Sequence, residues 1–157
     1  MTEQKPEAID TDAPPFRENV LGELIGYRLR RAYLPVQSAA HQVLAAYNLR
    51  VVSFSCLSII VDNPGIVQSQ LADLLQMERP NLVVIIDHLE TLELITRTKV
   101  QRDRRRYALK ATLKGRRLRD KAAKDVRAAE EAVAGGLTVD EQAQLIALLD
   151  KLQTGAK

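Results

Sequence analysis

Apolar residues recur at three- and four-residue steps from Phe16 to about Tyr47 (Val20, Leu21, Leu24, Ile25, Leu29, Ala32, Tyr33, Val36, Ala39, Ala40, Val43 and Leu44), the period of one helical face. Pro35 falls near the middle and is expected to kink or break that helix, since proline lacks the N–H and crowds the preceding turn. So long a stripe exceeds what a small monomer can cover, so part of it is expected to meet a second chain. Val51 to Val61 (VVSFSCLSIIV) is β-branched enough for a strand, and its length leaves both options open; the elements after it favour a buried helix. Asn63-Pro64-Gly65 forces a turn.

Two short helices with a tight connection are predicted next. Ser69 to Gln76 carries Leu71, Leu74 and Leu75 on one face, and Gln76-Met77-Glu78 is the turn. Pro80, tolerated in a first helical turn, opens a segment running to about Leu94. At 100° per residue Leu82, Ile85, Ile86, Leu89, Leu92 and Glu93 share one side. Pro80, Val84, Asp87 and Thr91 take the other, flanked by Asn81, Val83 and His88. An outward Val84 suits a helix in the DNA major groove, where it can meet a thymine methyl, although single exposed valines are common.

From Leu94 to Val100 β-branched and basic residues alternate; Gln101 to Arg104 reads as a polar turn, and Arg105 to Lys110 returns with Tyr107 and Leu109 on one face. This is a two-stranded hairpin with a basic tip. Thr112 is a plausible cap for a helix from Leu113 to Val133, which Gly135-Gly136 ends. Thr138 with Glu141 makes a capping box for a last helix, whose apolar face is Leu145, Ile146, Leu148, Leu149 and Leu152. Residues 1–15, with Pro6, Pro14 and Pro15 among acids, have too little apolar content to fold alone and read as a flexible arm.

Charge sharpens this outline. Arg97 to Arg119 holds eleven basic residues and one acid, Asp103, a local +10 in a chain whose formal total is +3, so the remainder carries −7. A field this lopsided points to a polyanionic partner, although basic residues also protect an exposed sheet edge. At 157 residues with no Trp and few aromatics, the chain suits one mostly helical domain plus an oligomerisation element. The single Cys56 cannot form an internal disulfide, and in an apolar run it reads as buried and inert rather than redox-active. His41 and His88 lack further ligands at metal spacing, so no metal or cofactor is expected. No phosphate loop, nucleophile motif or paired acids in an apolar setting argue for an enzyme. Without a signal peptide or membrane-length apolar run, the expected location is cytoplasmic, away from membranes.

Helix, helix-turn-helix, basic hairpin, long helix and final helix, in that order, resemble the MarR family of winged helix-turn-helix transcriptional regulators from about Phe16 to Leu152. Two stretches carry the resemblance. Asp103-Arg104-Arg105, followed by Leu109 and Gly115, is similar to the family's wing signature. Gln70-Leu71-Ala72-Asp73-Leu74-Leu75, leading into Arg79-Pro80-Asn81-Leu82-Val83 and Asp87-His88-Leu89-Glu90, is similar to its helix pair. The strand end Leu109-Lys110-Ala111-Thr112-Leu113 departs from the family's Leu-Thr pair, reading as a displaced Thr, and Val83 and Val84 stand where many relatives are polar.

The resemblance implies a mainly α fold: a winged helix-turn-helix over 51–111 with a small hairpin wing, and terminal dimerisation helices over 16–47 and 112–153. It implies a homodimer on a palindromic operator, with Arg79, Pro80, Asn81, Val83, Val84 and Asp87 facing the major groove. Arg102, Arg104, Arg105 and Arg106 would reach the minor groove or its phosphates, Arg105 being oriented by Asp103. It further implies a repressor released by a small, aromatic, anionic effector, such as an aromatic carboxylate or its CoA thioester. The candidates for holding that effector are Tyr27, Arg30, Arg31, His41, Ser53, Phe54 and Cys56, although Arg30 and Arg31 equally suit a solvated helix face. The rival classes are a non-specific architectural DNA-binding protein and a helical protein-interaction module.

Overall fold

The computed structural model describes residues 19–155 apart from 101 and 102, with side-chain detail for all of these except residue 100 and residues 103–106. The expected N-terminal arm lies outside the described residues. Packing divides the chain between Tyr33 and Leu34. In the N-terminal unit a 3-10 turn, Leu21–Glu23, leads into the first helix, α1 (Ile25–Ala45). Arg28 fastens that entry, its backbone N–H donating to the Leu24 carbonyl at 3.1 Å and its Nε to the Gly22 carbonyl at 2.8 Å. The helix runs on through Pro35. The expected break is thus absent: a proline removes one backbone bond, and the Arg, Leu and Ala residues around it are good helix formers.

The C-terminal unit contains the rest of α1 (34–45), α2 (Val51–Asp62), α3 (Gln68–Leu74), α4 (Arg79–Thr91), β1 (Ile95–Val100), β2 (Asp103–Ala111), α5 (Leu113–Val133) and α6 (Val139–Gly155). The ambiguous apolar run is α2, a helix, and it packs against α3, α4, α5 and β2. Leu57 and Ile60 from α2, Leu71 from α3, Leu82, Ile86 and Leu89 from α4, and Ile95 and Leu109 from the hairpin are all buried in one core. Of the side of α4 that the helical period assigned to the interior, Leu82, Ile86 and Leu89 are buried and Ile85 and Leu92 partly so, whereas Glu93 lies past the helix end at Thr91 and is exposed.

Three helices end in the same way. Asn48, Gln76 and Glu93, which follow the ends of α1, α3 and α4, have φ of 54°, 49° and 59°. After α3, the Gln76 N–H donates to the Asp73 carbonyl at 3.2 Å and the Met77 N–H to Ala72 at 2.9 Å. The same pair of bonds closes α1 through Asn48 and Leu49, and α4 through Glu93 and Leu94. These are Schellman caps whose left-handed residue is not glycine, each followed by an apolar residue, Leu49, Met77 or Leu94, that turns toward the core.

In the hairpin, Ile95 pairs with Ala111, Arg97 with Leu109 and Lys99 with Tyr107, and the register shifts between Lys99 and Val100. β2 starts at Asp103, two residues before the expected return strand; a register irregularity of this kind absorbs such a change of length. The turn before α3 also does more than reverse the chain. Gly65, at φ 95°, donates its N–H to Leu109 at 2.8 Å, the Leu109 N–H donates to Ile66 at 2.9 Å, and Val67 bridges Ala108.

Thr112 is the N-cap of α5, its Oγ1 accepting from the Gly115 N–H at 2.9 Å. The threonine is thus in step with Gly115 and not displaced, and the departure from the family pattern is Ala111 before it. α5 ends at Val133, but Gly135 and Gly136 do not cap it in the left-handed region, since Gly65 is the one described glycine with positive φ. The capping box of α6 forms as expected: Glu141 Oε2 accepts from the Thr138 N–H at 2.7 Å, and Thr138 Oγ1 accepts from the Glu141 N–H at 3.3 Å. Those bonds to Thr138 hold the Glu141 carboxyl below its ordinary pKa. No residue of α6 is buried.

Candidate nucleic-acid interface and effector cavity

The buried stripe of α4 fixes what its other side presents. Leu82, Ile86 and Leu89 are buried, leaving Arg79, Pro80, Asn81, Val83, Val84, Asp87 and His88 exposed. Val84 is 68% exposed, the most open of the apolar residues on this helix. Pro80 in the first turn costs no helix bond, because the N–H it lacks has no intrahelical partner there. This face combines a cation, a carboxamide and two branched aliphatic groups on a rigid element, the set able to bond base edges and meet thymine methyls.

Next to it stands the hairpin, where Thr96, Thr98, Lys99 and Lys110 are exposed. Arg102 lies outside the described residues, as do the side chains of Asp103, Arg104, Arg105 and Arg106. Arg97, the first cation of the basic run, is turned inward. Its Nη2 bonds the Asp87 carboxylate and its Nε stands 3.0 Å from that of Glu90, with the Arg97 side chain 19% exposed. Asp87, expected to face DNA, is therefore engaged with the hairpin. The partnership was invisible in the sequence, because ten residues separate the two and nothing in the helical period of α4 or the alternation of β1 sets their relative position.

A cleft of about 750 Å³ opens between the end of α1, the start of α2 and α4. His41, Asn48, Arg50, Ser53 and His88 supply its polar wall, and Ala45, Leu49, Val52, Val84 and Ile85 its apolar one, with Asn81 at the α4 side. Of the effector candidates, His41 and Ser53 line it. Phe54 packs partly into the core, and Cys56 is fully buried there, away from the cleft. Burial pushes the Cys56 thiol up to about 11, so it stays protonated and inert at neutral pH. Tyr27, Arg30 and Arg31 belong to the N-terminal unit, where Arg31 lies 5.9 Å from the Tyr27 ring centre. Sequence reasoning missed Arg50, Asn48 and His88 as cleft residues. His88 was visible as a flank of the outer face of α4, but only folding brings it to the same cleft as His41.

Among the described residues no cluster of His, Cys, Asp or Glu could hold a metal ion, and no helix is long and apolar enough to cross a membrane.

The model of the MarR family matches residues 49–107, from the cleft through the wing strand. A Thauera aromatica protein named for transcriptional regulation of the hcr operon is 30% identical over 135 residues, covering 85% of this chain and 81% of that protein. The chain belongs to the MarR family. Its winged helix-turn-helix is that of MarR-family transcriptional regulators. The structure of the transcriptional repressor CouR bound to a 23-mer DNA duplex matches it with a TM-score of 0.80 at 35% identity, covering 92% of this chain and 100% of that one. CouR from Rhodococcus jostii RHA1 bound to p-coumaroyl-CoA matches with a TM-score of 0.76 at 30% identity, covering 85% and 94%.

Proposed function

We propose that this MarR-family regulator is a homodimeric repressor that binds a palindromic operator and is released by an aromatic, anionic effector. The observation that carries the reading is the composition of the exposed side of α4, with Asn81, Val83 and Val84 presented beside a hairpin that exposes Thr96, Thr98, Lys99, Lys110 and the aromatic Tyr107. In this reading α4 enters the major groove. The tip arginines Arg102, Arg104, Arg105 and Arg106 supply minor-groove or phosphate contacts that fix register without choosing sequence. The apolar faces of α6 and of the N-terminal residues pair with a second copy, setting two α4 helices about one DNA turn, ~34 Å, apart.

The cleft between α1, α2 and α4 is the effector site in this reading. Arg50 and the two imidazoles offer donors to a carboxylate or phosphate, and the aliphatic wall takes a ring. Asn81 and Val84 belong both to the cleft and to the face offered to DNA, so a bound effector and DNA compete for α4. The CouR complexes with DNA and with p-coumaroyl-CoA support both halves of the reading at 35% and 30% identity.

The test is Asn81→Ala, assayed by fluorescence anisotropy on an operator selected by the wild-type protein from a random-sequence duplex library, and on its single-base-pair variants. The expected loss is about 1 to 3 kcal/mol, confined to particular base pairs. Equal losses on operator and random DNA would make Asn81 a backbone contact. In the same assay p-coumaroyl-CoA should displace operator from the wild type, and no displacement by it, by p-coumarate or by benzoates would remove the effector assignment.

A further inference from the structure

The ion pairs of Arg97 join the two parts that the DNA-binding reading needs to act together. Arg97 lies opposite Leu109 in the hairpin, and directly paired residues of an antiparallel ladder project from the same face. Leu109 is fully buried, so this is the inward face, and Ile95 on it is buried as well. Arg97 is thus built into the side of the hairpin that packs on α4, while Thr96 and Thr98 face outward. Its partners, Asp87 and Glu90, stand one turn apart on α4, and the guanidinium bonds the first and lies 3.0 Å from the second through a different nitrogen.

On α4 alone the two acids are unfavourably placed. Like charges three residues apart repel on a helix, and acids in its C-terminal half oppose the helix dipole. On a surface that approaches phosphates they would also repel DNA. A cation that bonds one and stands beside the other offsets these penalties together, and does so only while the hairpin is seated on α4.

We propose that Arg97 is a positioning residue that locks the wing to the recognition helix and offsets the charge of Asp87 and Glu90, whose carboxylates stay exposed, so that neither Asp87 nor Arg97 is a DNA contact. The inference rests on the DNA-binding reading above. The test measures the ratio of operator to random-DNA affinity for the wild type, Arg97→Ala, Asp87→Ala/Glu90→Ala and the triple variant, with thermal melting of each to establish that it is folded. A single device makes the losses redundant: Arg97→Ala and the acid pair variant each lower the ratio about tenfold, and the triple variant lowers it no further. Losses that multiply in the triple variant, or an Arg97→Ala ratio equal to wild type, overturn the proposal.

If Arg97→Ala does not fold, Arg97→Lys decides, since it keeps the charge and one ion pair but not the fork. An intermediate ratio supports the lock, and a wild-type ratio overturns it. A wild type that shows no operator preference defeats the DNA-binding reading itself. A wild type with preference and an Arg97→Ala variant that keeps it defeat the lock alone.

Discussion

A methyl group added to Gly115 would stand 2.0 Å from the Leu94 carbonyl oxygen, the same oxygen that accepts the Thr112 N–H at 3.0 Å. Nothing larger than hydrogen fits where the first turn of α5 crosses the end of α4. Gly115→Ala should therefore cost about 3 kcal/mol of stability, read as a lower midpoint in urea. A shift within 0.5 kcal/mol, roughly the range of neutral surface changes, would contradict the packing. Cys56 makes a prediction of a different kind. Burial raises its thiol to about 11 in the folded chain, so the folded state holds this proton more tightly than the unfolded one. The associated stability is complete below the ordinary thiol range and is lost as pH rises from there through about 11. Urea midpoints of wild type and Cys56→Ala followed across that range should converge as pH rises, and parallel curves would contradict it. At this scale the sequence was legible where partners are close: Thr112 and Gly115 share one turn, as do Thr138 and Glu141. It was silent on Arg97 with Asp87, and on His41 with His88, because such pairs depend on how whole elements dock.

The elements themselves were legible through period and turn chemistry. Strict helical spacing found the buried side of α4, and the proline before Asn81 marked its start. The unmarked features are those made without the residue types that usually signal them. Gln76 and Glu93 hold left-handed φ without being glycine or asparagine, so two of the three Schellman caps left no signature, and the bridge of Val67 to Ala108 is a pairing too short to show alternation. Gln76 offers a direct check. It is exposed, its φ is 49°, and a side chain in that region costs energy that glycine avoids. Gln76→Gly should raise stability by about 0.5 to 1 kcal/mol after the added chain entropy of glycine is counted, measured by urea unfolding. A loss of that size would mean that this side chain contributes something the cap geometry does not account for.

At the scale of the whole molecule, the unburied apolar residues are the main unmet demand. Leu145, Ile146, Leu148, Leu149 and Leu152 of α6 are each between 41% and 61% exposed, and Val20, Leu24 and Ile25 are more than half exposed. Apolar faces of this extent on a protein of this size mark an association surface, and a twofold pairing of like helices is the commonest way to cover one. A dimer in turn doubles the α4 surfaces and gives the basic wings two sites along one duplex. The dimer, the groove-facing side of α4 and the wing are thus three parts of one claim, that this protein chooses a DNA sequence as a symmetric pair. The most direct test is the affinity of the purified protein for its selected operator against a random duplex of equal length, at about 0.15 M salt, with the mass of the complex measured alongside. The account predicts one dimer per duplex and a preference of roughly a thousandfold or more. Monomeric protein on DNA, or a ratio near one, would contradict it.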